Sequence, residues 1–177
     1  MIPKAPLIKT ILFAGGMLAA AASDSAFPSV TGRNLHGDDI SFPGVCAQGK
    51  DNVVIVAFVQ KQQPLVDTWL PQLAKLAASR PGLRYYELPT IKKMNRLLRW
   101  TIYKGMRSGI QDAGARSRTV TLHIDKGPFK AQLGVKTEED IYIYLLDERG
   151  RVKWQAKGTF SEAKMLALKQ NLSLSQS

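Results

Sequence analysis

The run Val53-Val54-Ile55-Val56-Ala57-Phe58-Val59 constrains this chain more than any other stretch. Seven successive apolar residues, most of them β-branched, describe a strand with no face left for water. Its sheet must be covered on both sides, and the rest of the sequence supplies the cover. From Pro64 to Ser79 the residues Val66, Trp69, Leu70, Leu73, Leu76 and Ala77 recur at spacings of three and four, which makes one apolar helix face. Pro71 is expected to kink that helix, and Arg80-Pro81-Gly82 to end it.

The remaining elements follow from the same patterning. Val30 to Leu35 and Ile40 to Phe42 form a hairpin about the turn His36-Gly37-Asp38-Asp39. Strands are expected over Leu83 to Leu88, Thr119 to Ile124 and Ile141 to Leu146, with Arg151 to Ala156 returning after the turn Asp147 to Gly150. Helices are expected from Ile91, capped by Thr90, to about Arg107, then over Pro128 to Leu133 and Ser161 to Leu172. Gly109 to Ser117 reads as loop. The order implies one α/β domain, a central mixed β-sheet flanked by helices on both faces with an N-terminal β-hairpin.

The first 26 residues read as a separate targeting segment, leaving 27–177 as the domain. Lys4 and Lys9 precede a short apolar run from Ile11 to Ala22, and Ala20-Ala21-Ala22 offers a small-x-small cleavage pattern with a mature start near Ser23. An uncleaved membrane anchor is the alternative. Either reading makes the domain exported, periplasmic or peripheral to an inner membrane. The formal net charge is +11, and still +9 without Lys4 and Lys9, so the domain favours acidic partners.

One cysteine, Cys46, and two histidines, His36 and His123, exclude an internal disulfide and the ligand spacings of a zinc or iron–sulfur site. No phosphate-binding glycine loop or paired-carboxylate motif is present, and no cofactor is expected. Cys46 precedes the first central strand and so lacks the helix terminus that activates a thiolate. His36 reads as a turn imidazole and His123 as a sheet-face imidazole. Asp38-Asp39 and Glu138-Glu139-Asp140 read as solvated turn charges.

The element order resembles the thioredoxin fold in its peroxiredoxin and membrane-tethered thiol-reductase versions. In those reductases a strand ending in an aromatic residue leads into a Cys-Pro-Pro-Cys turn that opens a helix. Here Val56-Ala57-Phe58 ends the strand, and the tetrad reads Gln63-Pro64-Leu65-Val66, with Gln63 and Val66 where both cysteines belong. The family's cis-proline, just before its third central strand, is also missing from the equivalent stretch Glu139-Asp140-Ile141-Tyr142. An amide and a valine cannot supply the thiolate and resolving thiol of redox exchange. Within that superfamily the chain resembles the ATP-synthase assembly factors known in mitochondria as the ATP-ten family. The resemblance rests on Phe27-Pro28 with Gly37, Trp69 with Pro71, Glu87-Leu88-Pro89, the basic Lys92-to-Arg107 segment, and Tyr142 to Asp147 before Gly150. It implies a redox-silent, non-enzymatic factor that helps a subunit of the synthase's membrane sector, Fo, to join its ring.

The segment from Ile91 to Arg107 is the candidate contact surface. Wound as a helix, it places Lys92, Lys93, Arg96, Arg99, Lys104 and Arg107 within an arc of roughly 140°, with Trp100 and Tyr103 among them. Ile91, Met94, Leu98, Thr101, Ile102 and Gly105 make the opposite face, expected to pack on the sheet. Asp112 is the only acid between Ile91 and Arg118. Arginines beside aromatics suit a protein interface or an anionic membrane surface, while a solvated basic face is the plain alternative. The expected partners are an acidic or membrane-protein client and anionic lipid, not nucleic acid. The alternatives are a divergent peroxiredoxin-like or thiol-reductase-like enzyme using Cys46, and an exported module for another acidic partner.

Overall fold

The structure, a computed structural model, describes residues 25–92 and 96–173, with side chains over 25–92 and 101–172. The targeting segment therefore lies almost wholly outside the described residues, and Lys93 lies outside them altogether. Strands β1 (Val30–Asn34) and β2 (Asp39–Phe42) form the hairpin. Next come β3 (Asp51–Ala57), the short helix α1 (Gln63–Asp67), α2 (Leu70–Ser79) and β4 (Leu83–Lys92). Helices α3 (Arg96–Gly109) and α4 (Ala113–Arg118) lead to β5 (Val120–Ile124) and α5 (Lys126–Gln132). The strands β6 (Tyr142–Asp147) and β7 (Val152–Lys157) and the helix α6 (Glu162–Ser173) close the chain.

All seven strands join one sheet in the order β2-β1-β5-β4-β3-β6-β7. β3 lies between parallel β4 and antiparallel β6, and every one of its residues is buried. Its side chains alternate between two cores, as the pleat requires. Val54 and Val56 join Phe27, Phe42, Phe58, Leu88, Phe129 and Tyr144 on one face. Val53 and Ile55 meet Val66, Trp69, Leu73, Ile143, Leu145 and Leu168 on the other. At the chain's entry, Phe27 N donates to Gly150 O and Val152 N to Ser25 O, which seats residues 25–27 beside the β6–β7 turn.

Three elements differ from the sequence reading. The helix around Pro71 is broken, not merely kinked. The break falls at Thr68–Trp69, and Pro71 lies in the first turn of α2, where a missing N–H costs nothing. Thr68 Oγ1 accepts from Phe160 N and Trp69 Nε1 donates to Gly158 O, so partners from the β7–α6 connection hold the break. β4 runs on to Lys92, because Thr90, Ile91 and Lys92 pair with Leu122, His123 and Ile124 of β5. Thr90 is thus a ladder residue whose hydroxyl donates to Leu88 O, not a helix cap. Finally, the expected loop before β5 contains α4, capped by Asp112, whose carboxylate accepts from Ala115 N.

Two glycines separate backbone need from spare room. Gly150 closes the β6–β7 turn at φ 76°, and a Cβ there would lie 2.1 Å from Pro43 Cβ. Gly105 is exposed on α3, with nothing within 4 Å of a built Cβ. Gly150→Ala is expected to destabilise by about 2–4 kcal/mol and Gly105→Ala to stabilise by about 0.5–1 kcal/mol. Urea midpoints of the two variants measure both.

Candidate functional site

The stretch from Gln63 to Val66, singled out in the sequence, adjoins a hydrogen-bonded plug at the end of β3. Gln63 opens α1 with Pro64 behind it, and Val66, on the same helix, is fully buried against the sheet. The preceding residue, Gln62, is 1% exposed and uses its whole amide. Its Oε1 accepts from Phe58 N at 2.7 Å and Val59 N at 3.2 Å, while Nε2 donates to Glu138 O and Asp140 O, both at 2.9 Å. One side chain therefore ties the end of β3 to the loop before β6, where the cis-proline is missing. Sequence reasoning passed over Gln62. An aligned motif directs attention to the lost thiols and not to their neighbour.

The same loop corrects the reading of Glu138 as a solvated charge. Its carboxylate is bridged by Lys130 Nζ at 2.8 Å and Lys126 Nζ at 3.1 Å, and Lys126 Nζ also donates to Phe58 O. The hydrogen bond from Lys130, with help from Lys126, holds Glu138 below the usual glutamate range against the opposing effect of burial. Deeper in, burial raises the pKa of Glu87 on β4; a hydrogen bond from Gln63 opposes this and the charge of Asp67 adds to it.

No thiol approaches this plug. Cys46 sits in a 3-10 turn, Gly44–Gln48, fully buried in the other core, where Asn52 Nδ2 donates to its carbonyl. Burial, reinforced by the charge of Asp147, pushes its thiol up to about 11. A thiolate is therefore scarce at neutral pH, the reverse of what a peroxidatic cysteine needs.

The basic segment is divided between two elements. Lys92 is exposed at the end of β4, off the helix on which the sequence reading placed it. Arg96, Arg99 and Trp100 belong to α3, but their side chains lie outside the described residues. Lys104 and Arg107 are exposed. Tyr103 is not part of that outer face. It is half-buried and its hydroxyl donates to Leu35 O at 3.0 Å, in line with Ile102 and Met106, the other partly buried side chains described in the helix. Conversely Thr101 and Gly105, expected to pack, are exposed. The packed face is turned because α3 lies against the hairpin tip as well as the sheet. Leu35 N donates to Arg116 O, His36 Nε2 lies 2.9 Å from Ala113 O, and Arg116 reaches Ile110 O and Arg107 O. The His36 ring therefore acts in this tie, and His123 lies on β5 opposite Ile91.

Comparison with known proteins agrees with this arrangement. The sequence profile of the ATP10 protein family matches residues 18–173. The chain belongs to the ATP10 protein family. None of the curated proteins compared with it matches. Among solved structures it resembles BsSco, a member of the Sco family of cytochrome c oxidase assembly proteins, at 12% identity and TM-score 0.57, covering 86% of this chain and 95% of that one. A thioredoxin-family thiol:disulfide interchange protein of Chlorobium tepidum TLS aligns at 18% identity and TM-score 0.50, over 89% and 100% of the two chains. The exposed lipoprotein thioredoxin Etrx1 of Streptococcus pneumoniae aligns at 15% and 0.51, over 81% and 99%. The ATP10 family member thus has a thioredoxin-like α/β fold, and its family links it to ATP synthase assembly.

Two measurements test the plug. Gln62→Ala strands buried polar groups at both ends of the tie and is expected to cost about 2–4 kcal/mol in chemical unfolding. Glu138 has a folded pKa below its ordinary 4.5, so its contribution is present above that value and is lost as the pH falls through the folded pKa. Wild type is therefore expected to exceed Glu138→Gln in stability at pH 7, and the difference to vanish in acid.

Proposed function

We infer that this ATP10 family member is a non-enzymatic assembly factor that holds a membrane-sector subunit of the ATP synthase while it joins its complex. The observation that carries this reading is the plugged redox position. Gln63 and Val66 stand in place of thiols and Gln62 spends its amide on closing the site, so the fold is kept without its exchange chemistry. The single cysteine, buried with a raised pKa, offers no substitute nucleophile.

Contact with the client or with anionic lipid is made by the outer face of α3, where Lys104 and Arg107 are exposed and Arg96, Arg99 and Trp100 precede them in the same helix. Among the described residues no helix is long and apolar enough to cross a membrane, which suits attachment from the surface or through the segment before residue 25. The N-terminal segment exports the domain or anchors it at the inner membrane.

The test pairs binding with chemistry. Replacing Arg99, Lys104 and Arg107 by Gln is expected to weaken flotation with anionic liposomes by about two decades, since each charge near such a surface contributes about 1 kcal/mol. Added salt should weaken the wild type in the same direction, because exposed charges are screened within about 8 Å. Co-purification of membrane-sector subunits should fall with it. The purified protein should show no insulin reduction or peroxide turnover, and Cys46 should resist thiol reagents until the protein is unfolded. Turnover abolished by Cys46→Ala would establish the enzyme reading in its place.

A further inference from the structure

β5 covers only part of the edge of β4. β5 pairs with β4 only at Thr90–Lys92, with a last bridge from Thr119 to Glu87. On its other side β5 pairs with β1 only as far as Asn34 and Val120. Upstream of Thr119 the chain turns into α4 and leaves the sheet. Among the described residues no strand therefore pairs with the outer edge of Leu83–Tyr86, whose inner edge is held by Asp51–Val54 of β3. A cleft of about 350 Å³ opens along this edge, reaching Asn34 on the far side.

The cleft carries one sign of charge. Among the described residues two guanidiniums line it, those of Arg84 and Arg118, and no Asp or Glu does. Arg84 meets the neutral amide of Gln48 at 3.4 Å. Arg118 lies over the Tyr85 ring at 4.5 Å, and its one carboxylate contact, Asp112, is 3.9 Å away and largely exposed. Tyr85 and Tyr86 project to opposite faces of β4 and so flank any chain laid along it. Alternate backbone groups of an unpaired edge can bond to an added strand, and the neighbouring side chains then select its composition. Four residues of edge span about 13 Å, room for three or four residues of an extended chain.

We propose that this cleft takes an extended acidic segment of a partner polypeptide, added to the sheet as a short strand along Leu83–Tyr86. The site is separate from the outer face of α3 and does not depend on it. Opposite charge provides the selection. An acidic side chain on either face of the added strand meets Arg84 or Arg118, whereas a basic one meets like charge within a chain of formal charge +11.

The test uses the full chain and a fluorescein-labelled, end-capped heptapeptide of alternating Glu and Val, followed by fluorescence anisotropy and by amide hydrogen exchange. The acidic peptide is expected to bind at least about tenfold more tightly than its Lys–Val counterpart and than a version with a central proline, which removes a backbone donor. Exchange should slow at the outward-facing amide of Tyr85, since the Leu83 N–H already donates to Arg80 O and the alternate amides of β4 face β3. Arg84→Gln with Arg118→Gln should abolish this binding while leaving the circular dichroism spectrum unchanged, and Arg118→Lys should retain part of it. Lys104→Gln with Arg107→Gln should leave it intact, which separates this result from the docking of α3. Equal binding of the proline peptide would reduce the effect to charge attraction and overturn the proposal. Tighter binding of a thymidine decanucleotide that protects the same amide, or no binding at all, would overturn it too.

Discussion

Everything else in this molecule is arranged around the dehydration of β3. With all seven of its residues buried, the strand's backbone must be paired on both edges and its side chains covered on both faces. Parallel β4 and antiparallel β6 meet the first demand along nearly its full length. The second is met by α1, α2 and α6 on one side, and by α5, the 3-10 turn and the hairpin's Phe42 on the other. Burying a large apolar side chain contributes about 1.5–3 kcal/mol. The gain from Val66, Trp69, Leu73 and Phe129 together is thus the main term holding the helices to the sheet.

That arrangement leaves the end of β3 at the margin of the sheet, and there the polar groups are closed by hydrogen bonds. Gln62 makes four of them without a charge, so its burial carries no ion-desolvation cost. The lysine pair on Glu138 then fixes the loop that Gln62 grips. The polar groups here are spent on one fixed geometry.

The opposite end of the sheet is organised by the hairpin tip. Asn34 Oδ1 accepts from the backbone N–H groups of His36, Gly37 and Asp38, which sets the turn, and the turn in turn receives Tyr103 and the α3–α4 connection. Because α4 occupies the chain just before β5, that strand begins late and leaves the outer edge of Leu83–Tyr86 without a strand among the described residues. The turned face of α3 and the cleft beneath α4 thus have a common origin in a short connection that had to both pack and return to the sheet.

The sequence alone determined the layers of this protein. The β-branched apolar run pointed to a doubly covered strand, which takes in Val53–Ala57, and the period of Val66, Trp69 and Leu73 pointed to one helical face, which two short helices share. That Gln63 and Val66 carry no thiol was also legible without any coordinates. Tertiary structure decided where elements ended and which residues met. Thr90, Ile91 and Lys92 join β4 because β5, about thirty residues onward, offers them a ladder, and no local propensity records that offer. Tyr103 turns inward because Leu35 O lies within reach, and Gln62 is a plug only because residues 138–140 come back to it. Side-chain period and residue chemistry are local and legible along the chain, whereas register and hydrogen-bond partners across dozens of residues exist only after the chain has closed on itself.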